Sequence, residues 1–231
     1  DNCESMGTVY KGKKLGNYGL ASTFSTYIGH HMSTIEWGMV CTDDRDLYIN
    51  LIMTRAHGWD RNLPADIQEE IRAKYGVGGF YAKYAFYTLG YNVRPNEVNW
   101  FIGSDQMQYI DEIVTIRESN FQKFVDKVNS NPDFYPIRHD HIEKVSNFAI
   151  PVVCKSLEIL EKYKIRFEAE EVEIRPIISG DITEHIFWKE AYGELNKKTT
   201  AQLVHSQWFY FGNSPEYTEE EIQILLNLLV I

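Results

Sequence analysis

The chain has 231 residues, 44% of them hydrophobic and 24% charged, and its 12 Phe, 15 Tyr and 5 Trp exclude a disordered polypeptide. Such a length buries a sizeable core, and no apolar run, 148–154 or 224–231 included, approaches the ~20 residues of a membrane span. A net charge of −10 disfavours a broad nucleic-acid face. The cysteines Cys3, Cys41 and Cys154 are widely spaced and form no C-x-x-C pair, which disfavours a zinc knuckle or dithiol site. With no charged-then-apolar leader pattern at its start, the chain reads as cytoplasmic.

Residues 1–19 are polar and Lys/Gly-rich and read as an arm or loop, with a single α/β domain over 20–231. Ser33–Thr34–Ile35–Glu36 has the pattern of a capping box opening a helix through Cys41. The apolar Asp46–Thr54 reads as a buried strand, and Pro64 opens a helix to Tyr75 that Gly76 ends. A helix is expected over Gly79–Leu89, strands over Val98–Gly103 and Ile113–Ile116, and a helix over Asn120–Val128. Next come a helix over Pro151–Tyr163, a strand over Val172–Ile178, and a helix to Leu195 capped by Asp181–x–x–Glu184. A strand over Gln202–Phe211 precedes a last helix, capped by Thr218–x–x–Glu221, whose Leu/Ile stripe runs to the terminus. Strands alternating with helices predict a Rossmann-like layered α/β fold with a mainly parallel sheet, in which Asp46–Thr54 and Val98–Gly103 are neighbouring central strands.

Three clusters share one form, an apolar stretch entering a small polar turn before an expected helix. They are Ser22–His31, with Thr23, Gly29, His30 and His31; Val98–Gln106, ending in Gly103–Ser104–Asp105; and Ile177–Thr183, with Ser179, Gly180 and Thr183. Helix N-termini present unpaired N–H groups and a positive dipole end, so such turns suit phosphate. A fourth cluster, Arg138–Glu143, could join His141 and Glu143 with His205 as a 2-His-1-carboxylate iron set, although the expectation is that the three do not converge.

The order of the first three clusters resembles the HIGH-motif nucleotidylyltransferases, and within them the nicotinamide or nicotinate mononucleotide adenylyltransferases. Thr23–Phe24 through Gly29–His30–His31 is similar to the N-terminal motif, Phe101–Gln106 to the mid-chain one, and Ile178–Asp181 to the late one. Ile28 or a one-residue gap departs from the first motif, and Glu184 replaces an expected Arg in the last. The resemblance implies adenylyl transfer from ATP to a phosphorylated small molecule. It implies that His30 and His31 act on the phosphates, that Thr23, Gly29, Asp105, Ser179, Gly180 and Thr183 bind the nucleotide, and that Mg²⁺ accompanies ATP; the carboxylates of Asp181 and Glu184 beside the late turn make that ATP binding weak and Mg²⁺-dependent. A non-catalytic binding or assembly protein and the iron oxygenase are the alternatives. A homo-oligomer is compatible with the sequence; a membrane partner is not expected.

Overall fold

The computed structural model describes residues 1–195 and 199–230. The chain forms two compact units, one of residues 1–2, 16–28 and 32–107, the other of residues 3–15, 29–31 and 108 onward.

The second unit is built on a short hairpin, β1 (Val9–Tyr10) and β2 (Lys13–Lys14), and on a three-stranded sheet flanked by helices. The first unit holds a hairpin of β3 (Ser22–Ser25) and β4 (Gly38–Cys41) with three helices. These are α1 (Arg45–Thr54), α2 (Ala65–Tyr75) and α3 (Glu97–Gln106). The Asp44 side chain accepts from Leu47 N to start α1, and the Asn96–Asn99 capping box starts α3. Gly76, at φ 64°, closes α2 in the left-handed region. Ile49 and Met53 of α1 meet Ile67 and Ile71 of α2 around Leu63, and the wholly buried Asp60 carboxylate accepts from Arg72 Nε at 2.7 Å.

In the second unit α4 (Ile110–Ser130) carries the main apolar stripe, Phe121, Phe124, Val125 and Val128, at helical spacing. It packs on β5 (Ala149–Val153), whose Ile150 and Val152 point inward. After β5 come α5 (Leu157–Ala169), β6 (Arg175–Pro176), α6 (Ile186–Tyr192), α7 (Thr200–Gln207), β7 (Trp208–Gly212) and α8 (Glu219–Leu228). The sheet order is β5-β7-β6, with both pairings antiparallel. β7 alternates buried Phe209 and Phe211 with half-buried Trp208 and Tyr210, so one face enters the core. Pro151 and Pro176 sit on the two edge strands, where a missing N–H costs no ladder bond.

The α/β class of the sequence reading holds, but the mainly parallel Rossmann-like sheet does not. Every strand pairing among the described residues is antiparallel. The two proposed central strands are helices α1 and α3, and Ile113–Ile116 lies inside α4. Residues 33–36 form no helix, because Thr34 Oγ1 is committed to Thr26 Oγ1 at 2.6 Å and Ile35 takes φ 76°. Residues 79–89 hold only a 3-10 turn at Tyr81–Tyr84. Pro151–Tyr163 divides into β5 and the start of α5, Gln202–Phe211 into α7 and β7, and the Val172–Ile178 strand shrinks to β6. The helix expected from Asp181 to Leu195 is a 3-10 turn, Ile182–Glu184, followed by α6. The caps of α2 and α8 stand as expected; Ile231, at the end of the expected last helix, lies outside the described residues.

Phe124, on α4, is completely buried and meets Phe211 edge-on, so Phe124→Ala should cost about 3–5 kcal/mol in urea unfolding, against less than ~0.5 for Ile165→Ala on the exposed face of α5. Equal losses would contradict this placement of the core.

Candidate functional site

The turn Gly29–His30–His31 belongs to the second unit and is held there by a buried cation. Arg117 interrupts the apolar stripe of α4 and is only 4% exposed. Its Nη1 donates to the Asn213 carbonyl at 2.6 Å, and its Nη2 donates to the carbonyls of Gly29 and His30 at 3.4 and 3.2 Å. Burial pulls its pKa down to about 10, which leaves it a cation at neutral pH. Asn213, fully buried after β7, returns the contact through Nδ2 to the Arg117 carbonyl at 2.9 Å and to Asn147. Gly29 takes φ 91°, a value that suits glycine and lets its carbonyl turn toward the guanidinium.

The two histidines differ in what they can do. His31 is buried, with Nε2 2.8 Å from Ser146 Oγ and Nδ1 without a hydrogen-bond partner. Desolvation first, then the charge of Arg117, lowers its pKa to about 3, so it is a neutral structural imidazole. Ser146 is itself tied down, accepting from and donating to Thr8 Oγ1. His30 is half-buried and lies flat on Phe148, with ring centroids 5.2 Å apart and planes 7° apart. Phe148 also lines a cavity of about 410 Å³ with Tyr210, Trp208, Ile177 and Ile178. The His30 ring thus sits on a fixed turn, stacked on an aromatic side chain that also lines this cavity, with part of its surface open.

The other residues expected to bind a nucleotide are engaged otherwise. Thr23 lies on β3 and donates to Asp1 Oδ1 at 3.0 Å, and Asp105 is exposed in the last turn of α3 rather than beyond a strand. Ser179 and Gly180 both have positive φ, the Ser179 carbonyl contacts His185 Nε2, and Asp181 N donates to His205 Nδ1. Thr183 donates through both N and Oγ1 to Asp181 Oδ1. Those donors hold the Asp181 carboxylate below its usual range, and Lys189 and Gln202 do the same for Glu184. Two satisfied carboxylates stand where a phosphate would have to bind. Neither turn opens an α-helix: bends and β4 follow Gly29–His31, and a three-residue 3-10 turn follows Asp181. Glu143 accepts from Gly12 N with both oxygens, and His141 packs edge-on against Tyr10. Among the described residues no three His, Cys, Asp or Glu side chains gather to hold a metal ion. No described helix is long and apolar enough to cross a membrane.

The chain belongs to the DegT/DnrJ/EryC1/StrS aminotransferase family, whose sequence profile matches residues 1–229. It is 33% identical to GDP-4-keto-6-deoxy-D-mannose 3-dehydratase of Yersinia pseudotuberculosis over 99% of this chain and 58% of the relative, and 30% identical to that of Escherichia coli O55:H7 over 99% and 59%. The structure of the E. coli enzyme with bound hydrated pyridoxal phosphate (PLP) matches with a TM-score of 0.83 at 28% identity, over 99% of this chain and 59% of the other. A variant of the 3-dehydratase with histidine replaced by asparagine and GDP-perosamine bound matches with a TM-score of 0.86 at 29% identity, again over 99% and 59%. The chain thus spans somewhat under three-fifths of the length of these relatives, and its α/β fold is of the PLP-dependent aminotransferase type.

These findings overturn the nucleotidylyltransferase resemblance, and with it adenylyl transfer, Mg²⁺ and ATP; the iron oxygenase falls too. The motif similarity rested on short turns of Gly, Ser and His, which many α/β chains contain. Arg117, Asn213, Ser146 and Phe148 escaped the sequence reading. One signal was there: a lone Arg at helical spacing between Val114 and Phe121.

His31 carries the pH prediction. Its pKa is about 3 folded and near 6.5 unfolded, so below pH 6.5 the unfolded chain takes up a proton that the fold refuses. Stability should fall by about 2 kcal/mol between pH 7 and pH 5 from this group. Urea unfolding of His31→Asn should show a flatter profile over that range; an unchanged slope would contradict the assignment.

Proposed function

We propose that this chain forms part of a PLP-dependent enzyme that removes the C3 hydroxyl of a nucleotide-linked 4-keto-6-deoxyhexose, with His30 as its acid–base residue. The observation that carries the reading is the half-buried His30 imidazole on a turn locked by Arg117, in a chain 33% identical to a 3-dehydratase. PLP, when bound, supplies an electron sink that stabilises negative charge on an adjacent carbon. The basic side chains that this turn would offer beside such a group are imidazoles, since no lysine occurs between Lys14 and Lys74. His30 can accept and return a proton at a ring nitrogen while Phe148 and the carbonyl tether hold the ring plane. His31, neutral and tied to Ser146, keeps a second positive charge out of the turn.

A sugar aminotransferase is the second reading, favoured by the family's description and by the 27% identity to the Helicobacter pylori UDP-4-amino-4,6-dideoxy-N-acetyl-beta-L-altrosamine transaminase. Matched structures of the 3-dehydratase include the histidine-to-asparagine variant and one with histidine replaced by lysine and serine by asparagine, which supports a histidine as the side chain of interest in the dehydratases.

The test is turnover by the full protein with PLP and GDP-4-keto-6-deoxymannose, followed by loss of the C3 hydroxyl. His30→Ala should lower turnover by about 10²–10⁴-fold, the usual scale of general acid–base catalysis. Full activity in His30→Ala, or amine transfer with C3 intact, would overturn the reading.

A further inference from the structure

The cavity beside Phe148 lies wholly within the second unit, and two stretches of chain face each other across it. One is β7, which brings Trp208 and Tyr210; the other is Ile177–Ile178, just after β6. As far as Pro176 this second wall is held by the sheet, since Arg175 and Pro176 pair with Tyr210 and Phe209. The ladder ends there, and the chain turns sharply. Gly180 N donates to the Ile178 carbonyl at 2.7 Å, and Ser179 and Gly180 take φ 60° and 45°. A serine in the left-handed region is a costly conformation that its surroundings must impose.

Side chains on the far side of the turn impose it. Asp181 N donates to His205 Nδ1 at 3.1 Å, and His185 Nε2 donates to the Ser179 carbonyl at 2.6 Å. The Asp181 carboxylate accepts from Thr183 N and Oγ1 at 2.9 and 2.7 Å and from Thr199 Oγ1, the N-cap of α7, at 3.4 Å. His205 is the contact that joins the two walls. It stands on α7 three residues before Trp208, so it ties the Ile177–Asp181 segment to the element that leads into β7. A ring nitrogen that accepts from a peptide N–H carries no hydrogen, so the His205 proton is on Nε2. The turn lies so close over the ring that a Cβ on Gly180 would collide with Nδ1.

We infer that His205 is a positioning residue, whose Nδ1 latches the Ile177–Asp181 segment onto α7 and thereby sets the width of the aromatic cavity. That this cavity serves substrate rests on the proposed function; the latch does not.

Hydrogen exchange of peptides covering residues 177–183, read by mass spectrometry on the full protein, tests the latch. Asn at position 205 places its Oδ1 near the Nδ1 position and keeps an acceptor, whereas Gln reaches toward the Nε2 position and leaves Asp181 N without one. Exchange of the Asp181 amide should be about tenfold faster in His205→Gln and within about twofold of wild type in His205→Asn. Gln is the closer match to His in volume, so a side chain that only filled space would give the reverse order. Gly180→Ala keeps His205 but pushes the turn off its ring, and should speed exchange as His205→Gln does; it reports even if a variant at the half-buried position 205 fails to fold by circular dichroism. In the proposed reaction His205→Gln should raise KM by about tenfold with kcat within about twofold, because the Arg117 tether of His30 is untouched, and His205→Asn should restore KM. Unchanged exchange in His205→Gln or Gly180→Ala, faster exchange in His205→Asn than in His205→Gln, or a fall in kcat with KM unchanged would each overturn the inference. Exchange in the expected order in a protein that dehydrates no sugar would leave the latch standing and remove the proposed reaction.

Discussion

A guanidinium buried beneath the Gly29–His31 turn is the constraint from which the geometry of that turn follows. Removing Arg117 from water is expensive, and no carboxylate among the described residues repays it. Three backbone carbonyls do, those of Gly29, His30 and Asn213. A cation satisfied by carbonyls pins backbone rather than a side chain, so the peptide carrying His30 is fixed while the imidazole keeps an accessible face. The same charge bears on His31: together with burial it prevents that ring from protonating, and the neutral ring is anchored on Ser146. Burial first and this charge second keep His31 neutral, while the same guanidinium pins the peptide of His30.

The first unit solves a different problem by close backbone approach. Gly58 and Gly90 remove the side chains that would separate two irregular segments, and main-chain hydrogen bonds between the segments replace regular secondary structure. The result places arginines from distant positions in the chain on one wall. In each unit, then, a rigid backbone device positions cationic or basic side chains. These side chains stand on loops whose conformation is over-determined by what surrounds them.

The sequence was legible where local signals were complete. Pro64 and Gly76 bracket α2, and the Thr218–Glu221 box begins α8, because caps act within one turn of chain. It was misleading for α1 and α3, since a short apolar run does not distinguish a buried strand from a buried helix. The Asp44 and Asn96 caps were the deciding signals, and both lay just outside the runs that drew attention. The aromatic stretch at 79–89 resembled a helix because its irregular path depends on Gly58, some twenty residues earlier in the chain. At the candidate site, His30 and His31 stood out as adjacent imidazoles, but their chemistry did not. What separates them is the burial of His31 on Ser146 and, after it, a guanidinium from α4, and contacts across more than eighty residues leave no local pattern.

A double-mutant cycle on turnover tests the central claim most directly, that Arg117 serves the reaction through the peptide of His30. Turnover of the full protein with PLP and substrate would be measured for Arg117→Met, His30→Ala and the pair, with the folded state verified in each. If Arg117 acts by holding His30, its replacement should lower turnover by at least about tenfold in wild type and by almost nothing once His30 is gone, since residues that act as a unit are non-additive. Equal losses in both backgrounds would show that the buried guanidinium and the imidazole work independently, and would contradict the account.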